Sequence, residues 1–214
     1  MFDGPAQQKL AAHAAATMSA SFNRTTAALG TTPSAPIRVV FYTTEQFHDI
    51  TGAPEWAGGG FDGQIRLPLA GAAQNLAEFD RVLTHQLTHA IIHGIAARNV
   101  PAWLHEGLAM RFETAGARKA RTPATTRVFI PLAALRQGFA RLNAAQAIVA
   151  YGESAFAAGV LVERIGPEGL GALLQDLDGG QTIDQAVLRF GFTLQAFEAD
   201  VARRLGVEPA AGRR

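Results

Sequence analysis

Two histidines four residues apart, in His85-Gln86-Leu87-Thr88-His89, are the residues of this 214-residue chain whose type and spacing first suggest chemistry. On a helix, a separation of four sets both imidazoles on one face, one turn apart, where they can chelate a single ion. Two ligands do not complete a site. Glu106, in Trp103-Leu104-His105-Glu106-Gly107-Leu108-Ala109, follows His89 by 17 positions, and Gly94 and Pro101 between them offer places for the chain to turn back. An antiparallel helix pair would then bring Glu106 beside the two histidines. A His, His, Glu set leaves the fourth tetrahedral position open for water, the pattern of a catalytic rather than a structural zinc, so one Zn²⁺ is the expected cofactor. The remaining histidines fit this set poorly. His93 falls at the end of the helix beside Gly94 and reads as a surface or capping residue. His105 neighbours Glu106 and so points about 100° away from it. His13 and His48 have no evident partner, and the third histidine that a metzincin needs, six residues after His89, is Ile95.

The elements that must position these residues follow from hydrophobic spacing. Leu76, Phe79, Val82, Leu83, Leu87, Ala90 and Ile91 recur at intervals of three and four, predicting a helix over 76–93 closed by Gly94. A second helix begins at Pro101 or Ala102, proline suiting the first helical position, and runs to about Glu113. Upstream, residues 6–29 predict a long Ala-rich helix ended by Gly30, residues 37–42 a mostly buried strand with Tyr42 in the core, and residues 43–51 a capped short helix. The segment 64–67 alternates like a half-exposed strand, and Pro68 at its end favours a sheet edge. Residues 114–127 carry Arg118, Lys119, Arg121 and Arg127 among small residues and read as an exposed loop. Beyond Pro131 the chain predicts helices broken at glycines, among them Gly138, Gly152 and Gly166.

Composition narrows the chemistry further. There is no cysteine, which removes disulfides, iron–sulfur clusters, thiolate zinc sites and thiol nucleophiles, so a metal must be held by His and carboxylate. The 19 basic and 18 acidic residues leave a formal charge of +1, too little for an overall attraction to nucleic acid or anionic membranes. At 48% hydrophobic the chain can build a core. It contains no uninterrupted apolar run of about 18–20 residues, and neither membrane insertion nor nucleic acid binding is expected. The 42 alanines and the 17 arginines against two lysines carry no functional weight. Met1-Phe2-Asp3-Gly4-Pro5 reads as the start of an excised domain, and residues 1–20 lack the pattern of a signal peptide. The compartment stays open.

Val82-Leu83-Thr84-His85-Gln86-Leu87-Thr88-His89-Ala90, taken with Pro101-Ala102-Trp103-Leu104-His105-Glu106-Gly107-Leu108-Ala109, resembles the gluzincin metallopeptidases of the peptidase MA-like group. Softer similarity extends upstream to 37–42 and 60–65, and downstream to 151–167 and 180–205. The resemblance implies an α+β, zincin-like fold in a single domain over 1–214. It would have a small sheet-bearing upper lobe, about 1–94 including the zinc helix, and an all-helical lower lobe, about 95–207. It implies a bacterial zinc peptidase acting on peptide or protein substrates through a metal-activated water, with further domains in a parent protein that is in some cases exported. Tyr151 matches the position of an oxyanion donor and is expected just before a helix; a tyrosine that merely packs there is the alternative. Zincin substrates lie along an edge strand above the zinc helix. Gly60, Phe61, Asp62, Gly63 and Gln64 are the candidates for that edge, an ordinary hairpin being the alternative. Glu113, seven residues after Glu106, is the candidate to orient a histidine ligand, because the family's usual acidic position, four after the glutamate, is Met110 here.

The departure lies at Gln86, where the family motif has glutamate. That glutamate takes a proton from the attacking water and returns it to the leaving amine; a neutral amide of nearly the same shape cannot, and losing a general base costs about 10²–10⁴-fold in rate. The expectation is a peptidase inactivated at the base position by an introduced Glu to Gln change, since the ligands and the Glu106 helix survive. The alternative is a natural pseudopeptidase, a zinc-containing peptide- or protein-binding module.

Overall fold

The computed structural model describes residues 5–52, 58–113 and 129–207. Helix α1 (Pro5–Leu29) is followed by strand β1 (Val39–Tyr42), helix α2 (Thr44–Thr51), and strands β2 (Gly60–Phe61) and β3 (Ile65–Pro68). Then come α3 (Leu76–Ile95), α4 (Ala102–Phe112), a 3₁₀ turn at Leu132–Leu135, α5 (Ala144–Asp178), α6 (Ile183–Leu188) and α7 (Leu194–Leu205). The described chain is mostly helical with one small sheet, an α+β arrangement. The expected basic loop at 114–127 lies outside the described residues.

The sheet has the order β1-β3-β2. β1 runs parallel to β3, with Val39 opposite Ile65 and Tyr42 opposite Pro68. β2 runs antiparallel to β3, Gly60 opposite Arg66 and Phe61 opposite Ile65. This corrects the expectation that Pro68 marks an edge strand: β3 is central. Ile65 and Leu69 donate toward β1, to Arg38 and Tyr42 carbonyls, so the even-numbered residues of β3 face β2. β2 has only two residues and ends before it would lie opposite Pro68, whose missing N–H therefore breaks no ladder bond. The sheet edges are β1 and β2. Tyr42 is not a core residue: its ring is part-exposed, with the Arg66 guanidinium 5.8 Å from its centre and hydrogen-bonded to its hydroxyl.

Helix α3 is the structural axis. Asn75 caps it, accepting from the Glu78 N–H at 3.1 Å. Leu83, Ile91 and Ile92 are fully buried. On its α1 side, Thr84 meets Ser21 at 3.0 Å and Asp80 accepts from Thr17 at 2.9 Å. His13 Nε2 also contacts Asp80, at 2.8 Å, so His13 does have a partner; His48 has one too, lying edge-on to Phe47. The helix runs past Gly94 to Ile95. Gly94 is there for space rather than for a turn, since a Cβ would lie 2.6 Å from Pro33 Cβ.

Helices α4 and α5 cross at closest approach. A Cβ on Gly107 would sit 2.2 Å from the Ser154 carbonyl oxygen, so only glycine lets the two backbones meet there. Trp103 and Leu104 of α4 are fully buried, Trp103 against Phe197 of α7 at 6.2 Å between ring centres. Of the two breaks expected here, α5 continues through Gly152 but does kink at Gly166 (φ 66°, ψ 179°), before Pro167. By length and hydropathy alone α5 could cross a membrane, and half of its most apolar stretch is buried inside the protein.

Candidate metal centre

His85 and His89 project from the middle of α3 and Glu106 from α4, because the turn between the helices folds α4 back across the histidine face. His85 Nε2 and His89 Nε2 lie 3.0 Å apart, and Glu106 Oε2 is 3.6 Å from each. Tetrahedral zinc with ligands at about 2.0–2.2 Å sets neighbouring donors about 3.3 Å apart. The three observed separations bracket that value. Two imidazole nitrogens at 3.0 Å, both turned toward a carboxylate, present lone pairs that repel unless a cation or proton lies between them. The residues fit a metal ion, and among the described residues this is the one such group.

Electrostatics agree with the geometry. Burial works against the charge on Glu106, but hydrogen bonding to His85 and His89 outweighs it and holds the carboxyl well below the usual carboxylate range. For His85 burial likewise opposes protonation, and Glu106 and Glu113 overcome it, raising its pKa. His105 goes the other way. Burial, helped by the neighbouring His89, pushes it down to about 3, so its imidazole is neutral at ordinary pH.

Around the donors, Glu113 is 5% exposed, and its Oε1 lies 2.9 Å from His85 Nδ1. The same oxygen accepts from Arg81 at 2.9 Å, and Arg81 in turn is gripped by both oxygens of Glu78. Glu113 stands just past the end of α4 in extended geometry (φ −50°, ψ 150°), while Met110, four residues after Glu106, is buried.

A cavity of about 690 Å³ opens over the donors, lined by Gly58–Phe61, Arg81, Val82, His85, Gln86, His89, His105, Glu106 and Tyr151 among others. Gln86 and Tyr151 thus share the space above the three donors. Tyr151 lies within α5 rather than before it, because the Asn143 capping box starts the helix at Ala144; its ring packs edge-on to Phe139 at 4.8 Å. Of the proposed substrate residues, Gly60 and Phe61 line the cavity from β2. Asp62, Gly63 and Gln64 do not. They form the turn to β3, Gly63 at φ 101°, with the Asp62 carboxylate 3.0 Å from Arg66 Nε and the Gln64 amide oxygen turned toward the same guanidinium. A two-residue edge strand leaves them no place in the sheet.

His93 is exposed in the last turn of α3, edge-on to Phe61 at 5.4 Å. His105 stands outside the donor group, as its place on the helix predicts, but sequence spacing did not show its contact with His89. It lines the cavity and brings Nδ1 to 2.6 Å from His89 Nδ1. A helical wheel correctly sends it away from Glu106, but an imidazole has two nitrogens on different sides of its ring. A sequence neighbour of Glu106 can therefore reach the outer one.

No curated protein and no solved structure matches the chain. A family model does match, over residues 16–205, which runs from within α1 to the end of α7 and includes every residue of the cluster. On that match, the chain belongs to the Peptidase MA superfamily.

Proposed function

We propose that this domain is a gluzincin-type, zinc-dependent peptidase with zincin lobes, hydrolysing peptide bonds and held nearly inactive in this chain by Gln86 at the general-base position. The observation that carries the reading is the convergence of His85, His89 and Glu106, at 3.0 and 3.6 Å, beneath a cavity that also holds Gln86 and Tyr151. Membership of a peptidase superfamily supports it.

When bound, Zn²⁺ supplies a Lewis acid that activates water and polarises the scissile carbonyl. His85, His89 and Glu106 would hold it, with Glu113 keeping His85 in the tautomer that presents Nε2. The outer edge of β2 at Gly60–Phe61 offers backbone N–H and C=O groups to an extended peptide, and Gly60 has no side chain to obstruct it. Tyr151 would donate its phenolic proton to the oxyanion from across the cavity. Gln86 stands where the proton of the attacking water must be accepted. An uncharged amide has no basic lone pair for that transfer, so binding persists while turnover fails.

The test has two stages. Elemental analysis of protein purified without added metal should find one zinc per chain, removable by chelator. Gln86→Glu should then cleave members of a diverse peptide library in a chelator-sensitive way. Stoichiometric zinc with no cleavage by Gln86→Glu would leave a zinc-holding peptide-binding module in place of the enzyme, and absence of zinc would overturn both.

A further inference from the structure

We infer that His105 is the positioning residue for the ligand His89, a neutral imidazole that accepts the Nδ1–H of His89 and so turns its Nε2 lone pair to the metal. The inference rests on the metal reading above and goes beyond it, since nothing in the ligand set requires His105. Its basis is the geometry of the two rings. Their planes are 13° from parallel, their centroids 4.7 Å apart, and their Nδ1 atoms 2.6 Å apart. The centroid distance exceeds the nitrogen–nitrogen distance by close to one ring diameter. Face-to-face stacking would not give that relation. Rings lying edge to edge in nearly one plane do, with the two Nδ1 atoms aimed at each other, which is the alignment an N–H···N hydrogen bond requires.

A contact of this length holds one proton between two nitrogens. If His105 supplied it, His89 would carry its own proton on Nε2 and could not coordinate. If His89 supplies it, His89 Nε2 is free for the ion and His105 keeps its proton on Nε2. Only the second arrangement lets His85, His89 and Glu106 act together. The two ligand histidines are then fixed by unlike partners: His85 by a carboxylate that also binds Arg81, His89 by an uncharged ring from the residue next to Glu106. Neighbours in sequence on α4 thus serve the two nitrogens of one imidazole, Glu106 on the Nε2 side and His105 on the Nδ1 side.

The experiment measures zinc affinity by competition with a chromophoric chelator in the parent, His105→Phe and His105→Gln. It is paired with nitrogen NMR of the histidine rings in the zinc-loaded parent. Phe preserves a flat ring but no acceptor, whereas Gln restores an acceptor oxygen. Loss of such a partner costs about 10–100-fold in metal affinity. His105→Phe should therefore bind zinc about 10–100-fold more weakly than the parent, and His105→Gln should recover most of the loss. NMR should find His105 protonated on Nε2. Equal affinity for His105→Phe and parent, or His105 protonated on Nδ1, would overturn the assignment even if the variants fold poorly, since the NMR measurement uses the parent. A parent that binds no zinc brings down the metal reading and this one together; a parent that binds zinc as well as His105→Phe does brings down this one alone.

Discussion

The crossing of α4 over α5 makes Gly107→Ala a sharp test, because two effects of opposite sign compete there. Inside a helix, replacing glycine by alanine ordinarily stabilises by about 0.8–1.0 kcal/mol. At Gly107 the new methyl would stand 2.2 Å from the Ser154 carbonyl oxygen, 2.7 Å from its carbon and 2.9 Å from Ala158 Cβ. All three belong to the backbone or the first side-chain carbon of α5, so no rotamer change relieves them. The helices must separate by more than 1 Å to reach ordinary contact, and overpacking of this kind costs about 1–3 kcal/mol. The clash should outweigh the propensity gain. Gly159, also in α5, is the control: a Cβ there meets nothing closer than Arg111 at 3.8 Å, so Gly159→Ala should gain up to about 1 kcal/mol. Urea unfolding reads both as a shift in midpoint at constant slope. A displaced α4 also carries Glu106 away from the histidines, and a metal site tolerates only about 0.5 Å of misplacement. Zinc affinity should therefore fall in Gly107→Ala and stay unchanged in Gly159→Ala. If Gly107→Ala were as stable as the parent or more so, the close approach of α4 and α5 inferred from these distances would be refuted.

Removing zinc should lower the melting temperature by an amount that grows with free zinc, equivalent to about 4 kcal/mol at a thousandfold excess over Kd; an unchanged melting curve in chelator would refute the proposed metal centre. Glu113→Ala should weaken zinc binding by about 10–100-fold, measured by chelator competition, because it frees His85 to rotate and strips Arg81 of a partner. In a Gln86→Glu background, Tyr151→Phe should lower kcat by about 10²–10³-fold with little change in KM, the signature of an oxyanion donor; a change in KM alone would mark Tyr151 as a packing residue. Glu153, 2% exposed and accepting from the Ile130 N–H at 3.0 Å, has its pKa pushed up to about 7 by burial. The native state then holds its proton more tightly than the unfolded state, so this group lowers stability as pH rises from about 4.5 to about 7. Glu153→Gln should flatten that decline when urea midpoints at pH 5 and pH 8 are compared, and an equal decline in parent and variant would refute the effect.

The periodicity of α3 was legible because its apolar residues recur every three or four positions along one buried stripe, leaving His85 and His89 together on the face beside it. Strand order was not legible. Pro68 reads as an edge residue when only its missing N–H is considered, and what spares β3 is the shortness of β2, which no local pattern in 58–61 announces. Glu113 could be proposed from its distance along the helix, yet its approach to His85 depends on α4 ending there in extended backbone. Tyr151 was misplaced relative to its helix because Gly152 looks like a breaker, whereas inside α5 it merely lacks a side chain.

What the sequence by itself determined is therefore the inventory and the phase: a cysteine-free chain, two imidazoles one turn apart with the Gln86 amide between them, and a carboxylate on the next helix. These follow from residue identity and the pitch of a helix. Only the tertiary structure decided which groups meet across elements. The 3.6 Å approach of Glu106, the pairing of His89 with His105, the Arg81–Glu113–His85 chain and the presence of Tyr151 in the same cavity all depend on how α4 crosses α3 and α5. That crossing is set by the missing side chain of Gly107 against the Ser154 carbonyl, a contact between residues 47 positions apart.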